Sequence, residues 1–222
     1  MKRYLLGVAL GALLISPAGA STYIANNGLT GDSLLSGSAD LTINDGSFTV
    51  TLTNSVPNER SSGQAISDFD FTLTGVNSVG AISLVSGTRI NVNSDGTTSP
   101  YTGTAPLHWA ASDTGGAITL TTLSGMMPYD LITGPLPLNN NMGFSNFNPY
   151  FLETATFSVD CPTCVAGMDV SGVQISFGTN GTEVTGVAAV PELSTWAMLL
   201  LGFVGVGLLG YRKREGIGIR FA

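Results

Sequence analysis

Four short stretches of the 222-residue chain carry residue types at spacings that could do chemistry. Gly31-Asp32-Ser33-Leu34 presents a serine in a tight polar setting, which would suit nucleophilic acyl transfer if a base could reach it; His108 is the one histidine in the chain. Cys161-Pro162-Thr163-Cys164 has the spacing of a redox dithiol or a short disulfide. Asn91-x-Asn93-x-Asp95-Gly96 places oxygen-bearing side chains at alternate positions before a glycine bend, the first half of a calcium loop. Phe144, Phe147 and Tyr150 follow Asn139-Asn140-Asn141, and aromatic faces beside amides are what a sugar-binding surface uses: rings pack on a sugar's apolar face while amides meet its hydroxyls.

Each stretch has an ordinary reading beside the chemical one. Gly31 to Leu34 resembles the nucleophile signature of the GDSL esterases, which implies Ser33 as nucleophile. Those enzymes set the serine at the end of a buried strand in an α/β fold, whereas Asn26-Asn27-Gly28-Leu29-Thr30 precedes it here. The family's Asp three residues before its histidine is also missing, because Ala105 stands there. The hydrolase is therefore the remote alternative, and His108 reads as a strand or loop residue packed beside Trp109. The cysteine pair lacks the helix start that would activate a thiol, and two cysteines with one histidine are too few for a structural zinc site, so Cys161 and Cys164 are expected to form a disulfide closing a turn. The calcium pattern fails at its twelfth position, where Thr102 replaces the bidentate glutamate, so a plain turn is expected. No cofactor and no metal is expected. For Phe144 and Phe147 the alternative to sugar contact is that they pin a loop to the core.

The elements that would position these residues follow a period of two. Phe48, Val50 and Leu52 alternate with Ser47, Thr49, Thr51 and Thr53; Ile118 and Leu120 alternate with Thr119 and Thr121. Phe157 and Val159 repeat the pattern, as do Val173, Ile175 and Phe177, and the run from Ile66 to Leu73 does so with one phase change. Such alternation predicts half-buried strands. Asn44-Asp45-Gly46 and Asn93-Ser94-Asp95-Gly96 read as hairpin connections. No stretch between the termini carries a helical stripe, so the expected fold is an all-β antiparallel β-sandwich, jelly-roll or immunoglobulin-like, with a closed barrel as the alternative. From Pro128 to Tyr150 four prolines and three consecutive asparagines predict a long irregular loop.

Both ends of the chain carry addressing features. Lys2 and Arg3, the apolar run Leu5 to Ile15 and the small residues Ala18-Gly19-Ala20 describe a secretory signal peptide over residues 1–20, cleaved after Ala20. At the other end Val190-Pro191-Glu192 leads into an uncharged run from Trp196 to Tyr211, which as a helix at ~1.5 Å per residue would span about 24 Å. Arg212, Lys213 and Arg214 follow as a positive stop that holds this end in the cytoplasm. Val190 to Phe203, the glycine-rich apolar stretch and Tyr211-Arg212-Lys213-Arg214 together resemble the PEP-CTERM sorting signal of Gram-negative bacteria, over about 25 residues. The resemblance implies export, a stay in the inner membrane, and processing near the Pro-Glu motif by an exosortase, a membrane-embedded cysteine transpeptidase. Leu193 stands where the family has its second proline, and residues 215–222 extend past the basic cluster as a cytoplasmic tail.

Residues 21–189 remain as the ectodomain, long enough to bury a core of their own. Between Arg3 and Arg212 the only cations are Arg60 and Arg89, while thirteen acidic residues fall from Asp32 to Glu183, a balance of −11 over that body. Such a surface repels nucleic acid, so no nucleic-acid partner is expected, and it keeps an exported protein soluble. The sequence thus points to a non-enzymatic cell-surface or matrix protein with a structural or adhesive role, its partners an exosortase, the inner membrane and exopolysaccharide. A carbohydrate-binding module is the alternative.

Overall fold

A computed structural model describes residues 20–125, 127–138, 143–188 and 203. The sorting motif Val190, Pro191 and Glu192, the stop Arg212, Lys213 and Arg214, and Ala18 of the signal lie outside these residues. Among the described residues no helix is long and apolar enough to cross a membrane.

The domain is all β, built on one large sheet. Six strands occupy its first half: β1 (Ala20–Asn26), β2 (Ser36–Asn44), β3 (Ser47–Asn54), β4 (Ile66–Leu73), β5 (Ile82–Val92) and β6 (Thr98–Pro100). The rest are β7 (Ala110–Thr114), β8 (Ala117–Thr121), β9 (Ile132–Thr133), β10 (Tyr150–Asp160), β11 (Val170–Phe177), β12 (Thr182–Thr185) and β13 (Val187–Ala188). The period-two runs fall where expected. In β3 every second residue is buried, so Phe48, Val50 and Leu52 face inward while the threonines face out and bond across to β10, Thr51 to Thr156 at 3.0 Å and Thr53 to Thr154 at 3.2 Å. Asp45 and Gly46 make a two-residue hairpin turn with Asn44 paired to Ser47, and Gly46 takes a φ of 78° that an L side chain rarely adopts.

Strand pairing runs β12-β11-β4-β9-β10-β3-β2-β1-β13. The two ends of that path are one continuous segment: residues 182–185 pair with β11, and residues 187–188 pair with β1. Gly186 lies at the passage between them, its N–H donating to Val173 O at 2.9 Å. A Cβ there would sit 2.9 Å from Val173 Cγ1 and 3.4 Å from Tyr23 Cβ, so the segment can cross only where a side chain is absent. At the opposite seam β9 joins β4 to β10 through two residues, and its pairing with β10 is parallel, a departure from the all-antiparallel expectation. The main core fills the space within. Phe48 of β3 meets Phe71 of β4 edge-on at 5.3 Å, and Trp109 lies 4.9 Å from Phe157 of β10, all four rings being buried. Each such side chain contributes about 1.5–3 kcal/mol through removal from water.

Among its described residues the stretch from Pro128 to Tyr150 is less irregular than its composition suggests, since they include β9 and a 3-10 turn at Phe144–Phe147. Phe144 and Tyr150 are buried in a second, smaller core with Ala65, Ile90, Val92, Leu131 and Leu138, and Phe147 packs against its side. The Phe144 and Tyr150 rings meet at 5.6 Å, and Tyr150 Oη donates to Phe144 O at 2.9 Å. These rings turn inward and present no open face for a sugar. Burial wins here because Ala65, Ile90 and Val92, from earlier in the chain, together with Leu131 and Leu138, supply the apolar partners.

Cys161 and Cys164 are joined as a disulfide, directly after β10. The turn they close docks on the β2–β3 hairpin: Cys161 N–H donates to Gly46 O and Gly46 N–H to Cys164 O, each at 3.0 Å. Ala166 N–H adds a bond to Asp45 Oδ1 at 2.9 Å.

Candidate functional site

The densest polar cluster is organised by Asp130, which is fully buried at the end of the loop leading to β9. Its backbone takes φ 61°, a left-handed conformation that aspartate tolerates better than most residues. Its N–H donates to Pro149 O at 2.8 Å, and its carbonyl accepts the indole N–H of Trp109 at 2.8 Å, so the main chain is clamped on both sides. The carboxylate then accepts from Arg89 Nε at 2.8 Å on Oδ1 and from Arg89 Nη2 at 2.7 Å on Oδ2. Two more bonds reach Oδ2, from the His108 backbone N–H and from His108 Nδ1, each at 3.0 Å.

Arg89 comes from β5 and is held as firmly as its partner. Between Phe151 and Ala155 the pairing of β10 with β5 slips through a bulge, where Glu153 takes φ 61°. That bulge leaves Arg89 opposite Phe151, its guanidinium carbon 5.3 Å from the ring centre. The remaining donors reach Ala105 O at 2.8 Å and Pro106 O at 3.0 Å. Its fork is thus spent on one carboxylate and two carbonyls, and on the loop that carries His108.

In front of this frame lies an open cleft of about 280 Å³ lined by Tyr101, Ala105, Pro106, His108, Tyr129, Asn148 and Pro149. The His108 and Tyr129 rings stand 4.9 Å apart at 56°, forming a shallow V. Asn148 braces one side through a reciprocal pair with the Val92 backbone, accepting from N–H at 2.7 Å and donating to the carbonyl at 2.9 Å. With Nδ1 directed at Asp130, His108 keeps Nε2 for whatever enters; among the described residues nothing bonds to it.

Asp130 and His108 make an acid–imidazole contact at 3.0 Å, but Ser33 belongs to a different neighbourhood. It ends a 3-10 turn (Gly31–Ser33) held by Arg60 on Asp32 at 2.5 Å, by Gln64 Nε2 on Leu34 O at 2.8 Å and by Asn27 Nδ2 on the Ser33 carbonyl at 2.6 Å. Among the described residues no hydrogen bond links Ser33 to His108. Of the stretch Asn91 to Gly96, Asn91 and Val92 belong to β5 and the rest is a turn: Asp95 Oδ1 accepts from Thr97 Oγ1 at 2.6 Å and Thr97 N–H at 2.9 Å, bonds that hold its carboxyl below the usual range. Among the described residues no group of three or more His, Cys, Asp or Glu side chains converges as metal ligands would.

Two other acidic features lie apart from the cleft. Asp68 and Asp70 on β4 lie near Glu183 on β12, and burial pushes the carboxyls of both aspartates up, with Glu183 adding to the effect. Glu59 is fully buried; Gly134 N–H donates to its Oε2 at 2.5 Å, while Oε1 has no partner, and burial pushes its carboxyl well up. Arg89, Tyr101 and the neighbours Tyr129-Asp130 escape a reading of the sequence, because they and His108 lie in separate segments. One signal was present: a body with two cations rarely leaves either idle. Comparison with protein-family models, with characterised proteins and with solved structures finds no match to this chain.

Proposed function

We propose that the chain is an exported envelope protein, sorted through its PEP-CTERM-like tail to the cell surface or exopolysaccharide matrix, where its β domain has a structural or adhesive, non-enzymatic role. The observation that carries this is the C-terminal order of Val190-Pro191-Glu192, an uncharged run from Trp196 to Tyr211, and Arg212-Lys213-Arg214. Exosortase is the processing partner and the inner membrane the transient or retained anchor. The Cys161–Cys164 disulfide supports the reading, since such bonds persist in oxidising compartments. So does an acidic body whose two cations are both tied to carboxylates, Arg60 to Asp32 and Arg89 to Asp130. The closed path of strands is read as a β-sandwich of jelly-roll or immunoglobulin-like kind, with β9 and the Gly186 crossing as its two seams.

Fractionation of the native host tests the proposal, with wild type beside a Pro191→Ala, Glu192→Ala variant. The wild-type protein is expected outside the inner membrane and the variant within it. The same distribution for both proteins would reject the motif as a sorting signal.

A further inference from the structure

We infer that the cleft formed by Tyr101, Pro106, His108 and Tyr129 binds a short segment of an uncharged glycan. The site stands on its own geometry, and only the choice of a matrix polymer as ligand rests on the export reading. Sugars are recognised by ring faces that cover their C–H surface and by fixed acceptors and donors that meet their hydroxyls. The cleft supplies both. Tyr129 and His108 stand as a V at 4.9 Å and 56°, with Tyr101 and the exposed Pro106 completing the apolar lining. His108 Nε2 is held in place to bond a hydroxyl, because Asp130 Oδ2 takes Nδ1 at 3.0 Å and a second bond to the His108 backbone N–H fixes the ring's base. Tyr101 Oη and Tyr129 Oη are free of partners among the described residues and can donate to a hydroxyl or accept from one.

The preference for an uncharged ligand follows from what the cleft lacks. Its one neighbouring cation, Arg89, has its fork committed to Asp130, Ala105 and Pro106, so no free cation among the described lining residues would meet a uronate or a phosphate. The surrounding domain is strongly acidic and repels polyanions besides. At about 280 Å³ the cleft is just smaller than the ~300–1,000 Å³ typical of ligand pockets, which suits a short stretch of a longer chain passing over an open surface. Preorganisation adds to this: the buried Arg89–Asp130 pair and the Asn148–Val92 clamp hold the walls before a ligand arrives, so little ordering is left for binding to do.

Affinity electrophoresis of the full chain in detergent tests the site, in gels containing dextran or hydroxyethyl cellulose as uncharged probes and alginate as the charged one. Retardation by an uncharged polymer is expected, weakened about tenfold or more in Tyr129→Ala and in Tyr101→Ala, with alginate giving none. Tyr129→Phe keeps the ring and should stay within about threefold of wild type, and Ser33→Ala, remote from the cleft, should match it. Thermal melts of each variant separate loss of the site from loss of the fold. No retardation by either uncharged polymer overturns the inference, as does equal retardation by alginate or binding that Tyr101→Ala leaves unchanged. Each result is independent of where the protein resides in the cell, so failure of the glycan site leaves the sorting proposal to its own test.

Discussion

Two carboxylates, Asp130 and Glu59, are equally buried, and their surroundings treat them in opposite ways. Asp130 has a guanidinium fork, an imidazole and a backbone N–H around it. Glu59 has one backbone N–H, from Gly134, and an oxygen with no partner. Burial alone favours the neutral acid, and it prevails at Glu59, whose carboxyl is pushed well up. At Asp130 the Arg89 guanidinium lies against both carboxylate oxygens, and the same cation fixes the loop bearing His108 through Ala105 O and Pro106 O. A buried acid that organises a site and one that merely tolerates its place thus differ by their partners, not by their depth. Gly134 shows how tightly the second region is closed, since a Cβ there would collide with the Val56 carbonyl.

The largest effect should come from breaking the first region. Arg89→Met leaves Asp130 buried without its counter-charge and is expected to cost about 3–5 kcal/mol in urea unfolding at neutral pH. Asp130→Asn keeps the side chain's tolerance of left-handed backbone but leaves Arg89 unpaired, and a loss of roughly 2–3 kcal/mol is expected. Unfolding within about 0.5 kcal/mol of wild type in both variants would show that the pair contributes little.

Glu59→Gln probes the second region, with the opposite sign. Because the folded-state carboxyl titrates above the ordinary glutamate value, the folded protein holds a proton that the unfolded chain has released. Its contribution is therefore complete below the unfolded value and is lost as pH rises through the folded one. The amide cannot ionise, so the variant should match wild type in acid and be more stable by roughly 1–2 kcal/mol in alkali. Parallel stability curves from pH 4 to 9 would contradict the assignment. The smallest effect belongs to His108→Asn, which gives up one bond at a half-exposed position, about 0.5–1.5 kcal/mol, and leaves the Arg89–Asp130 pair in place.

The strands were legible because each exposes one face and buries the other. Phe48 to Leu52 and Val173 to Phe177 therefore announce themselves by alternation, and Asp45-Gly46 announces its turn. The disulfide was legible as well, from two cysteines too close together to serve anything larger. What escaped was assembled across the chain. Arg89, His108 and Asp130 lie on β5, a loop and the approach to β9, and no local pattern links them. For Phe144 and Phe147 the reading as pins that hold a loop to the core agrees with their packing, whereas Tyr150, read only as a sugar contact, is buried beside them. Glu59 sits between Asn58 and Arg60, where nothing in the sequence hints at burial. Side-chain periodicity records which face turns inward; it does not record which segments meet there.

The intact mass of the mature protein, purified from its native host, is the most direct test of the proposed route. A chain beginning at Ser21 and ending near Pro191 is the predicted result, with the apolar run and the basic cluster removed. A mass that retains Trp196 to Arg214 in protein recovered from the surface would contradict processing at this tail.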